Sequence, residues 1–351
     1  MTQTGDSATP HHRRVSNLPA VVLYATIAFA VIAFFTAMPM VFSGADRDVI
    51  IRIPKSATSQ MVADSLTKYL GQSYSDRVMR LMRIRHVDYD KRHGAYLIPK
   101  GMSPFMAQRR LRRGAQNPVT LTFNGFLSRE VLAERISRKL DFPADSLLAL
   151  LSDPAVLVPY GLTPQQALSL FLEDSYEVYW TSSPRDVIRK IGDNYLRVWN
   201  PDRRQLADNM RLTPAEVMTL CSIVDQETNK EKEKGRIGRL YVNRLWAGMK
   251  LQADPTVRFA LNDYSIRRIN AEHLKVDSPY NTYLHEGLPP GPIRTTSVAT
   301  IDRVLNSEQT DEFYMCARED FSGYHNFAAT YKEHLDNAMR YQHALNRRGI
   351  K

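Results

Sequence analysis

Residues 212–234 read "LTPAEVMTLCSIVDQETNKEKEK" and predict a helix whose start is unusually well marked. Thr213 and Glu216 form a capping box, and Pro214 occupies the first helical position, where its missing N–H costs nothing. The apolar residues that follow recur with the spacing of one helical face: Val217, Leu220, Cys221 and Val224. This face predicts a helix packed into a hydrophobic core.

The same stretch ends on two acids, Asp225 and Glu227, which lie near opposite borders of the apolar face. A carboxyl group at such a border is partly desolvated, which raises its pKa and lets it hold a proton near neutral pH, as a general acid must. Alternatively, Glu227 simply begins the charged stretch "ETNKEKEKG", a solvated helix end. Helix geometry alone leaves both interpretations open.

The composition is that of a folded protein with an anionic partner. The 351 residues are 43% hydrophobic, enough for two or three domains with cores of their own. The chain carries 47 Lys and Arg against 37 Asp and Glu, a formal net charge of +10. This charge suits nucleic acid, a membrane surface or an acidic cell wall.

Residues 18–42 form an uncharged apolar segment long enough to cross a membrane as a helix. A signal peptide is the alternative, because "SGA" at 43–45 resembles a cleavage site, but the segment is long for one. Basic residues precede it in the tail 1–17, namely His11, His12, Arg13 and Arg14. The positive-inside rule then predicts a single-pass inner-membrane protein with a cytoplasmic tail and some 300 residues outside, which argues against nucleic acid as partner.

Three stretches after this segment share one pattern: 51–66, 96–111 and 121–136. Each starts like a strand, places a hydroxyl residue (Thr58, Ser103 or Ser128) at a helix N-cap position, and continues with helical apolar spacing. Such strand–helix units resemble the LysM-like modules of wall-associated proteins, although a spacer without ligand fits the pattern equally well. We therefore predict a LysM-like module at 46–117 and a connecting α+β region at 118–210.

The run "RRLRRG" contains four arginines of the module: Arg109, Arg110, Arg112 and Arg113. These arginines could meet anionic wall or lipid phosphates, or they could form a solvated helix face.

The connecting region is predicted to be helical between about 140 and 210, with Thr163 capping a helix over 161–180. Tyr176, Tyr179 and Trp180 suggest an aromatic cluster, either packed in a core or stacked on sugar rings. Cys221 and Cys316 are far apart and predict free thiols, with a single bridge as the alternative.

Residues 287–292, "GLPPGP", predict a stiff wall that is neither helix nor strand. Close by, "NTY" at 281–283 offers groups that hydrogen-bond sugars, although Asn281 could equally close a turn. Asp254 could cap the helix that Pro255 begins.

These segments together carry a family resemblance. "SIVDQET", "VNRLWAGMKLQADPTVRFAL", "SPYNTYLHEGLPPGPI" and "SVATIDRVLN" occur in the order seen in the endolytic murein transglycosylases, the MltG or YceG-like family. The resemblance covers roughly residues 46–345 and implies a catalytic transglycosylase domain at 211–346. The commoner form of the first motif is S-I-V-E-K-E-T, so this chain departs from it at Asp225 and Gln226 and keeps the final glutamate.

The resemblance implies that Glu227 is the catalytic acid of a lytic transglycosylase, a lyase acting on peptidoglycan. Such an enzyme cuts the MurNAc–GlcNAc bond of nascent strands without water, leaves 1,6-anhydro ends and limits strand length. Residues implied to bind the saccharide are Gln252, Asp254, Asn281 and Tyr283, with Arg244 paired to Asp254 or to a peptide carboxylate. No cofactor is implied, and the histidines lack metal-ligand spacing. Peptidoglycan synthases are expected partners.

Two other functions fit parts of the sequence. One is a glycoside hydrolase in which Glu227 and Asp254 act as a carboxylate pair. The other is a membrane-anchored, glycan-binding scaffold without catalysis. For the fold we predict the α+β class, with a single transmembrane helix, strand–helix modules, and a mainly helical catalytic domain with a short sheet.

Overall fold

A computed structural model describes residues 18–266 and 268–349 of the chain. The predicted cytoplasmic tail 1–17 lies outside the described residues. The chain divides into two compact units, with the boundary between Asn117 and Pro118.

The first unit begins with an apolar helix and continues as a two-stranded sheet covered by helices. Its elements are α1 Leu18–Phe42, β1 Val49–Ile53, α2 Ser59–Leu70, α3 Gln72–Ile84, a 3-10 turn Asp90–Arg92, β2 Gly94–Ile98 and α4 Pro104–Arg113. The antiparallel pair β1–β2 runs from Val49 opposite Ile98 to Ile53 opposite Gly94. Alternate residues of β1 face inward, so the sheet covers a small core with the helices.

Helix α1 is the one helix of the described residues that is long and apolar enough to span a membrane. Its stretch Ala20–Phe42 has 23 residues, a mean hydropathy of 2.3 and no buried portion. Such a helix is compatible with the predicted anchor, and a signal sequence would have the same properties.

The second unit is mainly helical with two short antiparallel sheets. Its helices are α5 Arg129–Ser137, α6 Ala144–Leu151, α7 Pro154–Leu157, α8 Pro184–Val198, α9 Pro201–Asn209, α10 Pro214–Glu227, α11 Lys234–Trp246, α12 Asp254–Leu261, α13 Val298–Leu305 and α14 Tyr331–Arg347. Three 3-10 helices lie at Val158–Tyr160, Pro164–Leu170 and His273–Lys275. Strand β3 Pro118–Thr122 pairs with β4 Ser175–Tyr179, and β5 Tyr314–Ala317 pairs with β6 His325–Ala328. The prediction of a mainly helical structure with short sheets is thus confirmed for the described residues.

The three predicted strand–turn–helix stretches are confirmed as elements. Thr58 accepts from the backbone N–H of Met61, and Ser103 and Ser128 make the same bond at the starts of α4 and α5. The first two stretches share the sheet of the first unit, whereas the third belongs to the second unit, where β3 pairs with β4. The same local sequence pattern therefore occurs in strands of two different sheets.

The prediction of a helix over 161–180 is wrong beyond its first turns. Thr163 does form a capping box, but the helix is a 3-10 segment that ends at Leu170, and β4 follows. Successive residues of β4 alternate outward and inward, with Tyr176 and Val178 buried. Tyr176 packs against Phe123 with ring centroids 5.3 Å apart. Tyr176 and Trp180 are buried and Tyr179 is exposed, so core packing accounts for two of the three aromatics.

Helix α10 is the centre of the second unit. The capping box predicted at Thr213 and Glu216 is present, but residues 217–225 are all buried, so burial extends around the helix rather than along one face. The helix contacts α9, α11, α12 and α13, so its polar residues must find partners inside the protein. Ser222 does so by accepting from the N–H of Ile293 at 3.0 Å.

Two further predictions are met by the structure. Residues 287–292 form neither helix nor strand, and Gly291 lies so close to the backbone carbonyl of Gln165 that an added Cβ would stand 2.1 Å from its oxygen. Cys221 and Cys316 are free thiols, the first buried and the second half-buried.

Candidate active site

Glu227 is the last residue of α10 and is half-buried, with a hydrogen bond to a buried tyrosine of the next helix. The hydroxyl of Tyr241 on α11 donates to Glu227 Oε1 at 3.0 Å. Burial raises the pKa of Glu227 to about 7, the hydrogen bond from Tyr241 opposes this rise, and the negative charge of Asp254 adds to it. Glu227 therefore keeps its proton at acidic pH and loses it only near neutral pH, as suits a general acid.

Asp225 occupies a different environment, two residues earlier on α10. Its Oδ1 accepts from Lys234 Nζ and from the Thr300 hydroxyl, each at 2.8 Å, and its Oδ2 accepts from the Thr296 hydroxyl. Both Asp225 and Lys234 are buried. Asp225 therefore ties α10 to α11 and α13 with all its acceptors engaged inside the protein, and the structure separates the two acids that helix geometry leaves equivalent.

Asp254 and Tyr283 form a second carboxylate–phenol pair. The Tyr283 hydroxyl donates to Asp254 Oδ1 at 2.7 Å, and burial together with this carboxylate raises the pKa of the phenol. Asp254 is the first residue of α12 and its side chain does not cap the helix, because the N-cap position is Ala253. The charge of Asp254 raises the pKa of Glu227, and the charge of Glu227 raises that of Tyr283, so the three groups form one electrostatic cluster.

The loop that carries Tyr283 is fastened to the start of α12 by threonine hydroxyls. Thr282 Oγ1 accepts from the N–H of Ala253 at 3.0 Å and lies 2.8 Å from Thr256 Oγ1, with all three residues buried. The Thr282 carbonyl also accepts from the N–H of Gln252 at 3.1 Å. These bonds fix where Asp254 and Tyr283 meet.

Gln252 is exposed and has a φ of 53°, the left-handed region that side chains other than glycine seldom adopt. Its side chain lies on the surface, and its Oε1 accepts from Arg244 Nη1 at 3.4 Å. Of the residues predicted to bind substrate, Gln252 is the most accessible.

Asn281 was expected to contact the saccharide, but the structure uses its amide within the loop. The residue is fully buried, and its Nδ2 donates to the carbonyls of Leu274 and Val276 at 2.9 Å each. Its Oδ1 accepts from the N–H of Tyr283 at 3.1 Å. Asn281 thus closes the turn and positions Tyr283.

The pairing of Arg244 with Asp254 is not present among the described residues. The buried guanidinium donates to the carbonyls of Phe313, Lys250 and Leu251 at 2.6, 3.1 and 2.9 Å. It also lies 5.6 Å from the ring centroid of Tyr314. Arg244 therefore holds the loop before α12 against the start of β5, and its charge lowers the pKa of Glu227.

Sequence reasoning missed two contributors to this region. Tyr241 lies on an apolar stretch of α11, and such a tyrosine is indistinguishable from a core residue until its hydroxyl partner is known. Arg294 pairs with Glu173 at 2.9 Å and contacts the carbonyl of Asp225 at 3.4 Å, beside the end of α10. Glu173 and Arg294 are 121 residues apart in the sequence, so no local pattern indicates this pair. Among the described residues, no group of three or more His, Cys, Asp or Glu side chains could hold a metal ion.

Comparison with known proteins gives a consistent set of relatives. The sequence model of the YceG-like family matches residues 51–340. The endolytic murein transglycosylase of Bacillus subtilis (strain 168) is 29% identical over 168 residues, which are 47% of this chain and 45% of that protein. The endolytic murein transglycosylase of Streptococcus pneumoniae serotype 2 (strain D39) is 24% identical over 299 residues, 77% of this chain and 54% of that protein.

The chain spans about half the length of these curated relatives. A crystal structure of a yceG-like protein from Listeria monocytogenes superposes with a TM-score of 0.55 at 21% identity, covering 83% of this chain and 99% of that one. At this level of identity the likeness describes the fold.

Proposed function

We propose that this chain, which belongs to the YceG-like family, is an endolytic lytic transglycosylase that cleaves the MurNAc–GlcNAc bond of peptidoglycan. The observation that carries the proposal is the environment of Glu227, a single half-buried carboxyl group with a pKa of about 7 beside Tyr241 and Asp254. The names of the curated relatives support the same substrate class.

One carboxyl group suffices for this chemistry. Protonated Glu227 gives its proton to the glycosidic oxygen as the bond from that oxygen to C1 of the muramoyl residue breaks. The resulting carboxylate takes the proton of the C6 hydroxyl while O6 forms a bond to the same C1. The products are a free hydroxyl on the leaving sugar and a 1,6-anhydro ring, no water is consumed, and Glu227 is protonated again.

The internal C6 hydroxyl is already held near C1, so its effective concentration is high and no activated water is needed. The side chain of Asp254, whose Oδ1 accepts from the Tyr283 hydroxyl, would stabilise positive charge on the sugar ring as the bond breaks. Gln252 would contact the saccharide from the exposed loop. In this assignment Arg244 and Asn281 are positioning residues, because their polar groups are used to hold the loops.

A hydrolase is the second candidate, because the charge of Asp254 acts on Glu227 and the two could form a carboxylate pair. The products distinguish the two reactions, since hydrolysis leaves reducing ends and transglycosylation leaves anhydro ends.

For the rest of the chain we propose the following organisation. Helix α1 anchors the protein in the cytoplasmic membrane, with the tail 1–17 in the cytoplasm. Residues 46–117 form a LysM-like module, and residues 118–210 form a connecting α+β region between this module and the catalytic domain at 211–346. Anchoring would raise the enzyme's concentration near nascent glycan and restrict cleavage to strands close to the membrane. Such cleavage would limit strand length and would place the enzyme beside peptidoglycan synthases.

The test is mass spectrometry of purified peptidoglycan strands incubated with the full chain in detergent. The native protein should yield anhydro-ended fragments and Glu227→Gln none, while Glu308→Gln, the same change at an exposed glutamate, should keep full activity. Reducing ends would establish the hydrolase instead. Equal activity of native protein and Glu227→Gln would remove Glu227 as the acid.

A further inference from the structure

The net charge of the protein is concentrated in the first unit. Residues 46–117 contain 15 Lys and Arg against 6 Asp and Glu, a net charge of +9 out of the total +10. Residues 118–351 contain 30 of each and are neutral. The basic character that suggested an anionic partner therefore belongs to the module that follows α1, and residues 118–351 add no net charge to it.

Helix α4 presents much of this charge on one exposed face. The exposed side chains of that face are two apolar residues at its start and three arginines after them: Phe105, Met106, Arg109, Arg112 and Arg113. The opposite face is buried through Ala107 and Leu111. We call the three exposed arginines the arginine face. Among the described residues none of the three pairs with an acid, whereas their neighbour Arg110 turns inward and donates to the carbonyl of Leu97 at 2.6 Å.

The start of α4 is fastened to the chain that leaves α1. The N–H of Ala45 donates to the carbonyl of Met102 at 3.0 Å, and the N–H of Gly101 donates to the carbonyl of Ala45 at 2.8 Å. Arg77 of α3 donates to the Ser43 hydroxyl at 2.9 Å, one residue beyond the end of α1. Helix α1 itself packs against α4. The exposed face of α4 is therefore held within a few residues of the point where an inserted α1 would leave the bilayer.

We propose that the exposed face of α4 binds the anionic phospholipid headgroups of the membrane into which α1 inserts. Phe105 and Met106 would enter the boundary between headgroups and acyl chains, and the arginine face would pair with lipid phosphates. Basic side chains are attracted to an anionic leaflet, and this attraction falls off within a Debye length. The arginine face can therefore bind the leaflet only because it lies close to α1, which enters the membrane. The inference rests on the proposed anchoring by α1 and is independent of the reaction at Glu227.

The first test is chemical protection of native side chains in the full chain, reconstituted into nanodiscs of phosphatidylcholine alone or with phosphatidylglycerol. Phenylglyoxal modification of the arginine face should slow roughly fivefold in the anionic discs, as expected for basic groups bound to a charged leaflet. Arg185, exposed on α8 of the second unit, is the internal reference. Raising the salt from about 0.1 M to about 1 M shortens the Debye length from ~10 to ~3 Å and should remove the protection.

The second test separates a lipid contact from a general effect of charge. Oxidation of Met106 by hydrogen peroxide, measured relative to Met339 of the second unit, should also slow in anionic discs. Replacing the arginine face by glutamine should abolish this slowing. Replacing three exposed arginines of the second unit (Arg135, Arg185 and Arg347) by glutamine removes the same charge and should leave the slowing intact.

Three results would overturn the inference. Equal modification rates in the two kinds of disc would show that the arginine face does not bind anionic lipid. Protection by inorganic phosphate or by a soluble anionic glycan, without protection by phosphatidylglycerol, would assign the face to another ligand. Failure of the chain to enter discs of either composition would remove the anchoring on which the inference rests, while strand cleavage in detergent would still report on the proposed reaction.

Discussion

Replacing Tyr241 by phenylalanine tests how the hydrogen bond from Tyr241 affects the pKa of Glu227. The Tyr241 hydroxyl donates to Glu227 Oε1 at 3.0 Å and lowers the pKa of Glu227 by favouring its ionised form. Without this hydroxyl, burial and the charge of Asp254 still raise the pKa of Glu227, and the hydrogen bond no longer lowers it. The pKa of Glu227 in Tyr241→Phe should therefore lie above the native value of about 7.

The size of the change follows from the strength of the bond. A hydrogen bond to a charged group contributes about 1.5–3 kcal/mol, and each pKa unit corresponds to about 1.4 kcal/mol, so the pKa should rise by roughly one to two units. Only the protonated acid starts the reaction, so activity falls as pH rises through this pKa. The alkaline limb of the pH profile should move upward by the same amount, and the variant should retain more of its own maximal activity at about pH 8.

The assay is the initial rate of anhydro-ended fragment formation over the range from about pH 5 to 10. Tyr195→Phe is the matched control, because the buried Tyr195 hydroxyl has no hydrogen-bond partner among the described residues. Its profile should coincide with that of the native protein. An alkaline limb that stays in place or moves downward in Tyr241→Phe would refute the reasoning, since it would mean that Tyr241 does not stabilise the ionised form of Glu227.

Three further predictions concern stability. The folded-state pKa of Glu227 is raised from 4.5 to about 7, so between these pH values the folded state binds more protons than the unfolded state. The free energy of unfolding should therefore fall by roughly 3 kcal/mol as pH rises through this range. Urea unfolding of Glu227→Gln should not show this fall, and a difference in stability between the two proteins that does not depend on pH would contradict the prediction. Lys234→Met leaves Asp225 buried without its cation and should lower the free energy of unfolding by about 3–5 kcal/mol, whereas the same change at Lys275, whose ion pair is exposed, should cost below about 1 kcal/mol. Gln252→Gly relieves a positive φ and should stabilise by up to about 1 kcal/mol while slowing strand cleavage; unchanged cleavage would remove Gln252 from the substrate site.

The sequence determined the features that depend on neighbours within a few residues. The apolar segment 18–42, the N-caps at Thr58, Ser103 and Ser128, and the capping box at Thr213 all rest on local composition or on hydrogen bonds spanning three residues. Local signals of this kind are complete in the chain itself. They did not choose between Glu227 and Asp225, and it was the family resemblance that implied Glu227.

The tertiary structure decided what depends on groups distant in sequence. Asp225 finds Thr296 and Thr300 more than 70 residues away, and Glu227 receives its hydrogen bond from another helix. Three other features likewise depend on partners that no local pattern specifies. They are the burial of α10 on every side, the strand at 175–179, and the use of Arg244 and Asn281 to hold loops. A pKa is set by desolvation and by nearby charges. Both exist only once the chain has folded, so the packing around α10 determines the pKa of Glu227.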